Sequence, residues 1–132
     1  MNKLTFSFDL DGTLVSTVRM RYSESVPIPE RVELVRQLHR AGHRILIQTA
    51  RGQSMRPDVR AQLMRQTRSQ LRTWGIPYHE LRQKPFAHFY VDDRGVEAGD
   101  FFRDPVGHIE AELAAIMRAA VESATPFNSS DN

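Results

Sequence analysis

The chain of 132 residues contains no cysteine, which excludes disulfides, thiolate metal sites and a cysteine nucleophile. Any chemistry must therefore rest on oxygen and nitrogen groups. Of its 18 basic residues only Lys3 and Lys84 are lysines, so nearly all the positive charge is arginine, a side chain suited to forked contacts with phosphate. The net charge of +2 is too small to imply a nucleic-acid partner by itself. No apolar run approaches the roughly 20 residues of a membrane span, and Asn2 and Lys3 lead into a strand pattern rather than a signal-peptide core. These absences predict a soluble, cytoplasmic chain with no membrane partner. The length suits one domain with a modest core, expected over residues 1–122, with residues 123–132 as a disordered tail.

What is present begins with Leu4, Phe6 and Phe8, separated by Thr5 and Ser7, an alternation that predicts a strand. It ends in Phe8-Asp9-Leu10-Asp11-Gly12-Thr13-Leu14, where Gly12 permits a sharp turn. Carboxylates two apart on a strand point to one face, so Asp9 and Asp11 can approach a common small volume at the strand's carboxyl end. Like charges so close call for a hard cation such as Mg²⁺, which takes oxygen ligands and bridges to phosphate oxygens. With that charge screened, one carboxylate could attack phosphorus while the other shuttles a proton. The same Asp-x-Asp-Gly run also reads as a solvated turn.

Beyond it, Ser16 to Pro29 reads as a short hairpin or a loop. Glu30 to Ala41 carries Val32, Leu34, Val35 and Leu38 and stops at Gly42, which predicts a helix. Arg44 to Thr49, with Ile45-Leu46-Ile47, predicts a second strand. From Asp58 to Trp74, Val59, Leu63, Leu71 and Trp74 form an apolar stripe and Arg65, Arg68 and Arg72 lie opposite, a second helix with a basic, solvated face. Ile76 to Leu81 suggests a short strand, and Ala87 to Val91 another, which would deliver Asp92-Asp93-Arg94-Gly95 to its end. Asp104-Pro105 opens a last amphipathic helix running to about Val121. Strands alternating with helices imply right-handed crossovers and a mainly parallel sheet, with ligands at the strands' carboxyl ends. The expected fold class is α/β, a Rossmann-like three-layer sandwich with a mainly parallel central sheet.

Four elements end at that predicted edge: Asp9/Asp11, Thr49-Ala50-Arg51-Gly52, Lys84 and Asp92/Asp93. The Thr49 hydroxyl and the backbone N–H groups after it could hold phosphate oxygens, or Thr49 could merely cap a strand. Arg51 could add a forked contact. Lys84, before Pro85, could neutralise phosphate charge or be an ordinary exposed lysine. Asp92-Asp93 could complete a metal cage or stay solvated.

The order and spacing of these elements resemble the haloacid dehalogenase superfamily of phosphotransferases, matched by Asp9-x-Asp11, Thr49, Lys84 and Asp92-Asp93 over residues 4 to about 95. The resemblance implies an aspartyl-phosphate mechanism with Asp9 as nucleophile and Asp11 as the acid and base. Gly12, Thr13, Ala50 and Arg51 would line the substrate, with Thr13 positioning Asp11, and Thr49 and Lys84 would bind the transferring phosphoryl group. Mg²⁺ would be held by Asp9, the Asp11 carbonyl and Asp93, with Asp92 nearby. Trp74-Gly75-Ile76-Pro77-Tyr78, Lys84-Pro85 and Tyr90-Val91-Asp92-Asp93-Arg94-Gly95 look more specifically like small bacterial phosphatases of capsular polysaccharide synthesis. The phosphatase domain of phage polynucleotide kinase is similar at the Asp-Asp-Arg element. A capless site is open, so it suits a phosphorylated small molecule, a larger substrate, or completion by a second subunit in an oligomer. The expected activity is a Mg²⁺-dependent phosphomonoesterase acting on a sugar phosphate or related metabolite of polysaccharide synthesis. The alternatives are removal of phosphate from a nucleic-acid end or nucleotide, and a non-catalytic phosphate-binding regulatory domain.

Overall fold

The computed structural model describes residues 3–124. β1 (Thr5–Asp9) is followed by β2 (Val15–Ser16), a 3₁₀ turn (Tyr22–Glu24) and β3 (Val26–Pro27), then α1 (Pro29–Arg40), β4 (Arg44–Thr49), α2 (Pro57–Thr73), β5 (Glu80–Gln83), α3 (Ala98–Arg103) and α4 (Pro105–Ala124). β1, β4 and β5 form a parallel sheet in that order. The fold class is α/β, with a parallel central sheet and helical crossovers, as the alternation of patterns predicts. Among the described residues, no helix is long and apolar enough to cross a membrane.

The side-chain period of two explains how the sheet is covered. The register sets Phe6 beside Ile45 and Phe8 beside Ile47, and Ile47 beside Leu81, so these residues share one face. On it Phe8, Ile45 and Ile47 are buried, as are Val32, Val35 and Leu38 of α1 and Leu71 of α2. Full burial of each such side chain stabilises the fold by roughly 1.5–3 kcal/mol. Two right-handed crossovers running the same way along the sheet place both helices on one side. The opposite face of this sheet is mostly polar: Gln48 donates to Ser7, and Glu80 accepts from both Arg44 and Arg82. Arg36 of α1 donates to the carbonyls of Trp74 (2.7 Å) and Gly75 (2.9 Å), which closes the carboxyl end of α2.

The residues after β1 are anchored in the core, since Leu10, Leu14 and Val15 are fully buried. The Leu10 carbonyl accepts from the N–H groups of Thr13, Leu14 and Val15 at 2.9–3.2 Å. The turn carrying Asp9 and Asp11 is therefore wound around one buried carbonyl. Of the two expectations for residues 16–29, the hairpin is correct: β2 and β3 pair antiparallel.

Several expectations are corrected. The strand expected at 76–81 forms at Glu80–Gln83, because Ile76 is buried under the end of α2, its N–H bonded to the Leu71 carbonyl. No strand forms over 87–91. The last backbone bond from that side of β5 runs from Lys84 N–H to the Thr49 carbonyl, and Pro85 has no N–H to continue the ladder. Phe89 and Val91 are 84% and 93% exposed. In α2 the sheet-facing stripe is Leu71 with Thr67, while Val59 is exposed. Helix α3, capped by Glu97, was unexpected.

By their contacts the described residues form two compact units, Lys3–Val91 and the residues from Asp92 onward. In the second, Asp104 caps α4 by accepting from Gly107 N–H at 3.0 Å, with Pro105 at the first helical position. Ser123 and Ala124 still belong to α4; the rest of the expected tail lies outside the described residues.

Candidate active site

Asp9 is the last residue of β1, and its half-buried carboxylate meets two of the expected partners. Thr13 donates its hydroxyl to Oδ2 at 3.2 Å, and Lys84 Nζ stands 4.0 Å from Oδ1. Thr13 thus supports Asp9, whereas the resemblance assigns it to Asp11. The Asp9 pKa is raised above the ordinary 3.8: desolvation by burial is the main cause, opposed by the Lys84 charge and the Thr13 bond, with a smaller upward push from Asp11. A carboxylate made more basic in this way is a better nucleophile and gains more from a nearby cation.

Asp11 is held differently. Arg51 Nε donates to Oδ2 at 2.9 Å and Nη2 to Oδ1 at 2.8 Å, a forked pair. The arginine side chain is fully buried and the aspartate 24% exposed, so one edge of the carboxylate remains accessible. Thr17 also donates to Oδ1 at 2.5 Å. Its only proton is engaged there, so in the 2.6 Å contact between the Thr17 and Ser25 hydroxyls the donor is Ser25.

The expectation that Arg51 grips the substrate is revised by this geometry, because its guanidinium is turned inward. Its five N–H bonds go to Asp11 twice, to Ser25 (3.3 Å), to Thr67 (3.1 Å) and to Gln70 (2.5 Å), which exhausts its donors. The Tyr22 ring packs 4.5 Å from the guanidinium carbon. Burial raises the Tyr22 pKa, as does Asp11, while Arg51 opposes them.

Thr49 ends β4 and is fully buried, with its hydroxyl accepting from Arg51 N–H at 3.1 Å. It shapes the Ala50-Arg51-Gly52 turn from within. Gln83 Nε2 donates to the Arg51 carbonyl at 2.8 Å, and Gln53 Nε2 to the Lys84 carbonyl at 2.6 Å, tying this turn to the end of β5. Gly52 adopts φ +88°, and Gly12 adopts φ +82° with open space where a Cβ would stand. Ala50 is exposed on the turn. Lys84 lies 4.3 Å from the centre of the Tyr90 ring.

Asp9, Asp11, Thr49 and Lys84 thus share the carboxyl end of one sheet. Asp92 and Asp93 belong to the second unit and are exposed there. Asp92 Oδ1 accepts from the N–H groups of Gly95 and Arg94, and these bonds lower its pKa. Among the described residues, no group of three or more His, Cys, Asp or Glu side chains is placed to hold a metal ion. The donor chemistry of Asp9 nevertheless fits a hard cation, being a partly desolvated carboxylate at the carboxyl end of the sheet. Asp11 can offer its carbonyl, since its carboxylate is engaged by Arg51.

Thr17, Tyr22, Ser25, Thr67 and Gln70 were missed from the sequence. A signal existed for two of them: Thr67 and Gln70 interrupt the apolar stripe between Leu63 and Leu71 on the helix face turned toward the sheet. Nothing in the pattern of residues 16–29 marks the other three.

No family model matches the chain, and no curated protein matches it. Among solved structures it is similar to the crystal structure of a Vibrio cholerae target, with a TM-score of 0.65 and 28% sequence identity over 74% of this chain and 85% of that one. The likeness is one of fold and brings no activity with it.

Proposed function

We propose that the chain is a Mg²⁺-dependent phosphomonoesterase of the haloacid dehalogenase type, acting on a sugar phosphate or related metabolite of polysaccharide synthesis. The observation that carries this reading is the pair at the end of β1: Asp9 faces Lys84 Nζ at 4.0 Å, while Asp11, two residues on, is fixed by Arg51. One carboxylate is basic and faces a cation; the other is oriented.

In the proposed reaction an Asp9 oxygen attacks phosphorus, and the bond to the leaving oxygen breaks as that oxygen takes a proton from the Asp11 carboxyl group. Water then attacks the aspartyl phosphate, giving its proton to Asp11 and releasing phosphate and free Asp9. Lys84 balances charge on the transferring group. Thr49 acts by holding the turn whose N–H groups face the phosphate oxygens. Asp9 and the Asp11 carbonyl would hold Mg²⁺, which would supply neutralisation of the phosphate charge. Phosphate release from 4-nitrophenyl phosphate, with Mg²⁺ and after chelation, tests the reading. Activity should vanish on chelation and in Asp9→Asn; full activity in either case overturns it.

One observation favours a second substrate class, the phosphorylated nucleic-acid end. Arg65, Arg68 and Arg72 are all exposed on α2, at a spacing that gathers them on one side. Competition between a 3′-phosphorylated oligonucleotide and hexose phosphates separates the two, since preference for the oligonucleotide would displace the sugar reading.

A further inference from the structure

Gln70 joins three separate parts of the chain. From α2 its Oε1 accepts from Arg51 Nη1 at 2.5 Å, and its Nε2 donates to the Tyr22 carbonyl at 2.6 Å. Tyr22 begins the 3₁₀ turn of the hairpin, and its ring packs against the guanidinium at 4.5 Å. The arginine is thus held on its ring-facing side by Tyr22 and at its rear edge by Gln70 and Thr67. Its forward edge, Nε and Nη2, is left to meet Asp11.

An arginine side chain has several free torsions, and a planar fork delivers two parallel bonds only when its plane is set. Thr67 contributes one acceptor, already donating its own proton to the Leu63 carbonyl. Gln70 contributes an acceptor to the fork and a donor to the hairpin, so it alone sets both the arginine and the loop that carries Tyr22 and Ser25. Ser25 in turn accepts from Arg51 and donates to Thr17, which donates to Asp11. The circuit closes on the carboxylate from both sides.

We propose that Gln70 and Tyr22 are positioning residues that fix the plane of the Arg51 fork and so aim the Asp11 carboxylate at the leaving oxygen. The proposal rests on the reading of Asp11 as proton carrier. It predicts a signature that loss of stability alone does not produce. A misaimed acid slows esters whose leaving oxygen must be protonated, whereas a nitrophenolate departs without a proton.

The test uses the full chain with Mg²⁺ and two substrates, 4-nitrophenyl phosphate and glycerol phosphate. Gln70→Leu and Tyr22→Leu should lower kcat/KM, which excludes the hydrolysis step common to both esters, for glycerol phosphate by about tenfold more than for the aryl ester. Gln70→Glu, which keeps the acceptor facing Arg51 but loses the donor to the Tyr22 carbonyl, should recover only part of the loss. Equal losses of kcat/KM on both esters, or unchanged kcat/KM in both leucine variants, overturn the proposal. Exchange of the Arg51 Nε proton, followed by NMR, gives a readout without turnover: it should be slow in the parent and faster in Gln70→Leu. A parent inactive on both esters would reject the phosphatase reading. An unchanged Nε exchange rate in Gln70→Leu would reject the positioning role independently.

Discussion

Arg51 grips Asp11 along both carboxylate oxygens, Nε to Oδ2 at 2.9 Å and Nη2 to Oδ1 at 2.8 Å, from a side chain with no solvent exposure. A guanidinium enclosed in this way depends on its partner. Removing one member of a buried pair leaves an uncompensated charge, at about 3–5 kcal/mol. Asp11→Ala should therefore lose stability of that order, while Asp11→Asn, which keeps an acceptor oxygen for the fork, should lose clearly less. Urea unfolding of the two variants beside the parent measures the difference, and a midpoint for Asp11→Ala equal to the parent's would show that the pair carries no such energy.

The raised pKa of Asp9 has a thermodynamic sign. Its folded value lies above the ordinary 3.8, with burial the main cause, so the native state binds this proton more tightly than the unfolded chain. The resulting stability is complete below pH 3.8 and is lost as pH rises through the folded value. Asp9→Asn should consequently gain stability relative to the parent at neutral pH and show no such gain below pH 3.8. Because the Lys84 charge is the strongest influence drawing this pKa down, Lys84→Met should move the Asp9 titration upward. Urea unfolding at the two pH values reads the first effect and carboxyl carbon NMR of metal-free protein the second; a downward movement in Lys84→Met would contradict the 4.0 Å pairing.

Alternation and helical spacing were enough to locate β1, α1 and β4, whose apolar positions largely face one packed surface; they located α2 as well, although of its expected stripe only Leu71 is buried. They failed where a residue's surroundings, rather than its own pattern, decide the outcome. Ile76 looks like the start of a strand but is buried against the end of α2, and the run from Ala87 to Val91 has strand composition without a pairing strand. The two carboxylates and Lys84 were legible from their spacing around predicted strand ends. The inward turn of Arg51 was not, since it depends on Thr67, Gln70 and Ser25, which come from distant segments and resemble ordinary surface polar residues.

His43 is buried, and its Nδ1 accepts from Leu4 N–H at 2.9 Å. Desolvation, aided by the Lys3 charge, lowers its pKa below the ordinary 6.5. The neutral ring is required at the start of β1, so its contribution is present above pH 6.5 and is lost as pH falls through the depressed folded value. Subtracting the pH dependence of a His43→Gln variant from that of the parent should leave a decline in stability below pH 6.5. The glutamine carbonyl can take over the Leu4 bond without titrating. Superimposable pH profiles for the two proteins would mean that His43 protonates equally well folded and unfolded.

Gly52 connects backbone conformation to the site. At φ +88° a Cβ would lie 2.9 Å from Arg60 Cγ and 3.1 Å from Gln83 Nε2, and an L side chain in the left-handed region costs about 1–2 kcal/mol. The arginine side chain can swing away, but Gln83 Nε2 is the donor that holds the Arg51 carbonyl. Gly52→Ala should therefore lose about 1–2 kcal/mol in urea unfolding and also lower the proposed phosphatase activity, because the displaced turn carries Arg51 away from Asp11. Gly52→Asn, with a residue that tolerates the left-handed region better, should recover part of the stability while the Gln83 contact stays crowded. If the Asn variant regained full activity along with stability, the strain alone would matter and the tie from Gln83 to the turn would be dispensable.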